Sequence, residues 1–338
     1  MSYVDVLRCH CHRRNLLLPS IPEIYILAPR NLRLPPAPAF AVNPAVQFGN
    51  VALIGLGLLG GSLGMALTRR GAARQITGYV RRESTAREAK DLGAVHVATS
   101  DLAASVADAD LVVLCTPIGQ MADLARHMAP HLKSGAIITD VGSVKAPLVE
   151  TLEPIFAEAE CEFVGSHPMA GGEKTGVSHA RASLFDNALC VVTPSARSKP
   201  VAVETVEALW ASVSARTLRM SATQHDELVS RSSHLPHVVA AALASYVLSP
   251  AHAAEQASLC ASGFRDTTRI ASGSPEMWRD IALTNRTFLA RALGVFIADL
   301  QDIQRALNEG DTAGISEFFD QAKRRRDAWA NLCVPPTP

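Results

Sequence analysis

Aromatic residues are scarce in this chain, with 3 Trp, 4 Tyr and 10 Phe among 338 residues. The abundant alanines point instead to closely packed helices, including helices at a subunit interface. No sign of charge is in excess, since 32 Lys+Arg balance 32 Asp+Glu. That removes any bulk attraction for nucleic acid or a membrane surface. No apolar run approaches the roughly 20 residues a membrane-spanning helix needs. The two longest candidates are 238–248 and 16–27, and Pro19 and Pro22 break the second. Cysteine is neither frequent nor regularly spaced. Seven scattered thiols, an odd number, do not make a disulfide framework. Reduced thiols fit a cytoplasmic setting, and Cys190 and Cys260 read as core thiols. Internal repeats are absent. The length suits about two domains, each with its own core.

Residues 1–47 differ from the rest. They hold seven prolines and several arginines but almost no acid, so poor order is expected. Cys9-His10-Cys11-His12 contains both zinc-ligand types. The spacing is too tight for a four-ligand site and no second pair follows, so no metal is expected. The arginine-rich, acid-poor composition fits either a transit peptide or an over-extended start.

From Asn50 the pattern becomes regular. Val51 to Ile54 is a short apolar run ending at glycine, which reads as a buried parallel strand. Helices are expected over 62–70, 84–92, 118–131 and 144–159, the first two closed by Gly71 and Gly93. Strands are expected over 75–80, 110–115, 136–140, 162–164 and 189–192. Such alternation predicts a doubly wound sheet with its ligand at the strands' C-terminal ends. After a helix over 201–213 and a short strand over 216–220, only helices follow. Ser221-Ala222-Thr223-Gln224 has capping-box form and opens an alanine-rich helical stretch to Leu248. Ser274-Pro275-Glu276 opens another.

Gly55-Leu56-Gly57-Leu58-Leu59-Gly60 sits between the first strand and the first helix. The glycines there allow a tight turn, a close approach of backbone to pyrophosphate, and helix-to-strand packing. Gly55, Gly57, Leu58, Leu59 and Gly60 are therefore cofactor-binding candidates, with Thr116 and Pro117 at the end of a neighbouring strand. About 20 residues on, NAD enzymes place a carboxylate on the ribose 2′-hydroxyl. Here Val80 holds that position, followed by Arg81, Arg82 and Ser84. Two guanidiniums and no carboxylate welcome a 2′-phosphate, so NADP is expected over NAD.

Four more segments carry chemistry: 140–145 (DVGSVK), 166–177 (SHPMAGGEKTGV), 225–237 with His225, His234 and His237, and 263–271 (GFRDTTRIA). With the glycine fingerprint they occur in an order that resembles the prephenate/arogenate dehydrogenase (TyrA) family of tyrosine biosynthesis, over about Asn50 to Trp329. The resemblance implies an α/β fold: an N-terminal Rossmann-type doubly wound parallel sheet followed by an all-helical C-terminal domain. The division expected is a leader at 1–47, an NADP-binding domain at 48–198, and a helical substrate and dimerisation domain at 199–332. It also implies a homodimer, and oxidative decarboxylation of prephenate to 4-hydroxyphenylpyruvate. The alternatives are arogenate as substrate, giving tyrosine directly, and, more remotely, a non-catalytic NADP-binding regulator.

By this resemblance His167 is the catalytic histidine, which polarises or deprotonates the ring hydroxyl, and Ser143 bonds the same hydroxyl or holds His167 and the nicotinamide. Arg269 binds a substrate carboxylate, Glu173 and Asp266 form an ionic gate or orient the pocket, His225 and His237 belong to the substrate region, and Trp278 is a pocket wall. His234 reads either as helix surface or as part of that region. His225 and His237 are separated by about 120° on an unbroken helix. They share a site only if the helix is kinked at Pro236, or if another helix face meets a second subunit. A β-hydroxyacid dehydrogenase would instead need a catalytic lysine on a helix; Lys145 and Lys174 are the available lysines, and neither has the expected setting.

Overall fold

Val51-Ala52-Leu53-Ile54 has no polar side, and the strand it forms, β1 (Phe48–Ile54), is covered on both faces. Val51 and Leu53 enter one apolar cluster while Ala52 and Ile54 enter the other, as alternation along a strand requires. Burying a side chain such as Leu53 contributes about 1.5–3 kcal/mol. The structure is a computed structural model and describes residues 48–333. The 1–47 leader and its Cys9–His12 cluster lie outside the described residues.

The chain continues through α1 (Leu58–Arg70), β2 (Ala73–Tyr79), α2 (Glu83–Asp91), β3 (Val97–Thr99) and α3 (Leu102–Val106). Then come β4 (Leu111–Leu114), α4 (Ile118–Met128), β5 (Ile137–Asp140), α5 (Ala146–Glu158) and β6 (Glu162–Phe163). All six strands are parallel, in the order β3-β2-β1-β4-β5-β6. The order reverses between β1 and β4, so the ligand crevice of this sheet opens between Gly55 and Cys115-Thr116. This is the expected Rossmann-type sheet. It gains β3 and α3, which are three and five residues long and too short to show a period.

One expectation fails. Residues 189–192 do not continue the parallel series. After β6 the chain forms β7 (Gly165–Pro168), then β8 (Leu189–Thr193), α6 (Pro200–Ser212) and β9 (Arg216–Arg219). These strands make a second sheet, β7-β8-β9, in which β7 and β8 are antiparallel. The cause is the connection. A parallel return needs a crossover of a dozen or more residues, usually helical, and 169–188 holds only one 3₁₀ turn. The small sheet is anchored to the large one. Thr139 and Ser166 share a hydroxyl bond of 2.8 Å, and the fully buried Trp210 of α6 donates to Ser166 Oγ at 2.9 Å.

The rest is helical: α7 (Ala222–Val229), a π turn at Ser230–His234, α8 (Leu235–Val247), α9 (Glu255–Ser258) and α10 (Ser262–Thr268). A 3₁₀ turn over 269–272 leads to α11 (Pro275–Thr284), α12 (Arg286–Glu309) and α13 (Thr312–Cys333). The two expected caps form: Ser221 accepts from Gln224 N–H and Ser274 from Met277 N–H. The stretch to Leu248 is not one α-helix, because the π turn interrupts it. At Asn285 the chain bends by 94° between α11 and α12. No single helix among the described residues is long and apolar enough to cross a membrane.

Candidate active site

The glycine loop has the shape of a dinucleotide cradle. Gly55 has φ +104°, in the range that L side chains avoid, and a Cβ there would meet Thr116 and the Cys115 carbonyl. A Cβ on Gly60 would overlap the Gly55 carbonyl oxygen, so that glycine closes α1 onto β1. A Cβ on Gly57 would meet nothing within 4 Å. The space over Gly57 is open, and α1 starts there with no side-chain cap, leaving its first N–H groups free for an anion. Thr116 Oγ1 beside the loop is buried without a hydrogen-bond partner. Leu58 and Leu59 are half-buried at the start of α1, and Pro117 is the N-cap of α4. These features fit a nicotinamide dinucleotide. Val80 is buried at the end of β2, while Arg81, Arg82 and Ser84 are exposed around the N-terminus of α2.

His167 lies on β7 rather than in a loop turn, opposite Val191 of β8. Its neighbour Ser166 is clamped to the C-terminal end of β5, with N–H donating to Asp140 Oδ1 at 3.0 Å and Oγ–H to the Asp140 carbonyl at 2.6 Å. His167 thus stands at the same sheet edge as the cradle. The loop after β7 packs on α1: Cβ atoms built on Gly172 and Gly61 would lie 3.6 Å from Leu58 and 2.9 Å from Val177.

Behind His167 runs a buried chain of acceptors. His225 Nδ1 is 2.8 Å from Asp226 Oδ1, and His225 Nε2 is 2.8 Å from His167 Nδ1. A carboxylate only accepts, so His225 Nδ1–H is the donor. Neutral His225 then has a lone pair at Nε2, and His167 Nδ1–H donates to it. The remaining lone pair, on His167 Nε2, is free to take a proton. Burial, with His225 and Lys145 alongside, holds His167 well below the usual imidazole pKa. The Asp226 carboxylate also accepts from Lys145 N–H and Ala146 N–H at 2.7 and 2.8 Å, capping α5. Lys145 itself is fully buried, pairs with Asp140 and donates to the Ser166 carbonyl at 2.8 Å. Such an enclosed ammonium cannot play the open catalytic lysine of a β-hydroxyacid dehydrogenase. Cys190 is fully enclosed as expected, and burial raises its thiol pKa; Cys260 is only partly buried.

The other expected residues fall into two groups. Arg269 and Glu173 form an ion pair, both partly exposed. Asp266 is exposed on α10, one turn before Arg269. His237 stacks on Trp278 with centroids 3.6 Å apart. The edge of the His234 ring meets the same indole at 6.1 Å. His225 takes no place beside these residues: it is fully buried and stands behind His167. His225 and His237 therefore meet different partners, His167 and Trp278, and because the π turn between them winds less per residue than an α-helix, the sum of 100° steps does not hold. The half-buried Ser143 lies in the loop between β5 and α5, its backbone against the His234 ring.

Asp226 and Asn285 join the site although the sequence gave neither a role there, and with them come Asp140 and Lys145 of the 140–145 segment and His234, whose place the sequence left open. Asp226 adjoins His225, but its reach to α5, 80 residues upstream, is visible only in the fold. A cavity of about 640 Å³ on the opposite side of the sheet is lined by Glu153, Glu160 and Glu162. Arg197 and Lys199 line it too, Lys199 paired with Glu162, and none of the glycine-loop residues borders it.

Comparison with known proteins agrees with this geometry. The family profile "Prephenate dehydrogenase, nucleotide-binding domain" matches residues 63–219, and "Prephenate dehydrogenase, dimerization domain" matches 221–321. Prephenate dehydrogenase of Bacillus subtilis is 34% identical over 283 residues, covering 82% of this chain and 75% of its own. The chain belongs to the prephenate dehydrogenase family. Cyclohexadienyl dehydrogenase of Zymomonas mobilis is also 34% identical, over 82% of this chain and 95% of its own. Among solved structures, prephenate dehydrogenase of A. aeolicus in complex with hydroxyphenyl propionate and NAD+ superposes with a TM-score of 0.78. It is 30% identical, over 84% of this chain and 99% of its own. Membership makes the protein a nicotinamide-dependent oxidoreductase acting on a small molecule.

Proposed function

We propose that this enzyme converts prephenate to 4-hydroxyphenylpyruvate by oxidative decarboxylation, with NADP as preferred cofactor, as a step of tyrosine biosynthesis. The observation that carries the reading is the Asp226–His225–His167 chain, which leaves one basic nitrogen at the sheet edge that bears the cradle. A non-catalytic regulator would need no such chain.

In this mechanism Nε2 of His167 takes the proton of the ring hydroxyl. A positioned general base contributes about 10²–10⁴ in rate. The positive charge that develops on His167 is met through His225 by the Asp226 carboxylate, which is why a chain so deeply buried stays competent. A bound nicotinamide supplies the hydride acceptor for the carbon bearing that hydroxyl. Loss of the ring carboxylate as carbon dioxide leaves an aromatic ring, so no residue need drive that departure. Ser143 orients the hydroxyl. Arg269 exchanges Glu173 for a substrate carboxylate, one two-pronged partner for another. Asp266 joins that gate, and His237 with Trp278 walls the side-chain end.

Gly55, Gly57, Gly60, Thr116 and the start of α1 would hold the dinucleotide. Arg81, Arg82 and Ser84 would hold its 2′-phosphate, with no carboxylate at Val80 to repel it. Glu83 in the first turn of α2 opposes this, but two guanidiniums outweigh one exposed carboxylate. A second copy covers the helical half: Val295, Leu307, Phe319 and Trp329 on α12 and α13 are each more than half exposed. That face fits the homodimer which the family's dimerization domain suggests.

The deciding experiment offers prephenate and arogenate separately, each with NAD and NADP, and follows reduced nicotinamide. Prephenate with NADP should be fastest. Arogenate as the better substrate, in keeping with the cyclohexadienyl dehydrogenase relative, would replace the first choice. Replacing both Arg81 and Arg82 by alanine should cost NADP turnover about tenfold more than NAD turnover. Equal losses with both cofactors would remove the phosphate clamp.

A further inference from the structure

Three buried side-chain atoms among the described residues have no hydrogen-bond partner: Thr68 Oγ1, Thr116 Oγ1 and His234 Nε2. Native structures leave few such atoms, and each requires a reason. Thr116 belongs to the cradle. His234 has been given no part in the reaction, yet its ring is fully enclosed.

The protonation of that ring can be read from its neighbour. Asn285 stands at the bend between α11 and α12 and is itself buried. Its side-chain nitrogen lies 2.9 Å from the Asp226 backbone carbonyl and 3.0 Å from His234 Nδ1. A carbonyl only accepts, so the atom facing it is the amide nitrogen and not the amide oxygen. The second hydrogen of that nitrogen points at His234 Nδ1, which must then be an acceptor. A neutral His234 therefore carries its proton on Nε2, the atom without a partner. Burial favours the neutral ring and lowers the pKa to about 4.

The ring lies against the Ser143 backbone, and its centroid is 6.1 Å from that of the Trp278 indole, the two planes near perpendicular. Both belong to the substrate region proposed above, on which this inference rests. We infer that His234 is a ligand-binding residue whose Nε2–H is kept for an oxygen acceptor of the bound molecules, with Asn285 as the residue that sets the tautomer. The acceptor is an oxygen at the ring end of the cyclohexadiene or the carboxamide oxygen of the nicotinamide. The two offer the same chemistry to a neutral N–H.

The test uses the full chain. Imidazole ¹⁵N shifts of selectively labelled protein at pH 7 should show His234 neutral and protonated on Nε2. Protonation on Nδ1, or a charged ring, would overturn the inference whatever the variants do. His234→Leu should weaken either cofactor binding, followed by titration with NADP and NAD, or the KM for prephenate, by about tenfold. Which of the two changes identifies the acceptor. His234→Gln retains an N–H and should recover most of the loss. If His234→Leu leaves both constants unchanged, or if Gln and Leu are equally impaired, the ring is only packing and the inference fails. If the wild type turns over neither prephenate nor arogenate, the proposed function falls. The shift measurement and the cofactor titration would still decide the role of His234.

Discussion

His167 has two ring nitrogens and uses them for opposite purposes. Nδ1 is spent on His225, which is spent in turn on Asp226, and only Nε2 remains for chemistry. Asp226→Asn would disturb this order, since an amide can present an N–H to His225 and reverse the chain. It should lower kcat by about 10²-fold or more, with a smaller effect on KM. A change confined to KM would show that Asp226 acts on binding instead. Because His167 is held below the ordinary imidazole pKa, the acid limb of kcat/KM should fall below pH 6.5. Stability follows the same groups. His234 is buried neutral with a pKa of about 4, so between pH 6.5 and 4 the unfolded chain binds a proton that the folded chain refuses. Unfolding free energy should therefore drop by about 3 kcal/mol as pH falls through that window. Urea titrations at pH 7.5 and 4.5 check this, and equal midpoints would refute it. At this scale the motifs put forward His167, Arg269 and Trp278 as candidates. The sequence was silent on Asn285 and misplaced His225, because a hydrogen bond between residues 58 positions apart leaves no local pattern.

The elements differ in how clearly they declare themselves. α1, α2 and β1 were legible because glycines and apolar runs mark them at the scale of a turn or a strand. β7 was not: Gly165-Ser166-His167-Pro168 has no β-branched residue and ends in proline, yet all four residues are buried in a strand. Its pairing with β8 decides the matter, and pairing is a tertiary fact. The π turn was hidden for the same reason, since nothing in Ser230-Arg231-Ser232-Ser233-His234 distinguishes it from α-helix. The cradle allows a direct test of glycine roles. Gly57→Ala meets no neighbour, so it should leave the melting temperature nearly unchanged and weaken cofactor binding. Gly60→Ala collides with the backbone at Gly55 and should cost stability as well, by about 1–3 kcal/mol. If both variants melted alike, the division of labour between these glycines would be wrong.

As a whole, the molecule leaves its helical half uncovered on one side. α13 packs on α12 alone among the larger contacts, and the pair presents Val295, Leu307, Phe319 and Trp329 outward. Val295→Glu with Leu307→Glu should convert a dimer to monomers in sedimentation. A wild type that sediments as a monomer at micromolar concentration would show that this face serves something else. The neutral overall charge gave no hint of this face.

The Asp226 carboxylate stitches α7 to the first turn of α5 while aligning two imidazoles, so the proposed proton acceptor is assembled from both halves of the polypeptide. A severed fragment ending at residue 220 would keep the glycine cradle but lose the partners that orient its histidine. Recombining this nucleotide-binding half with a foreign helical half would then yield a protein able to hold a coenzyme and unable to use it.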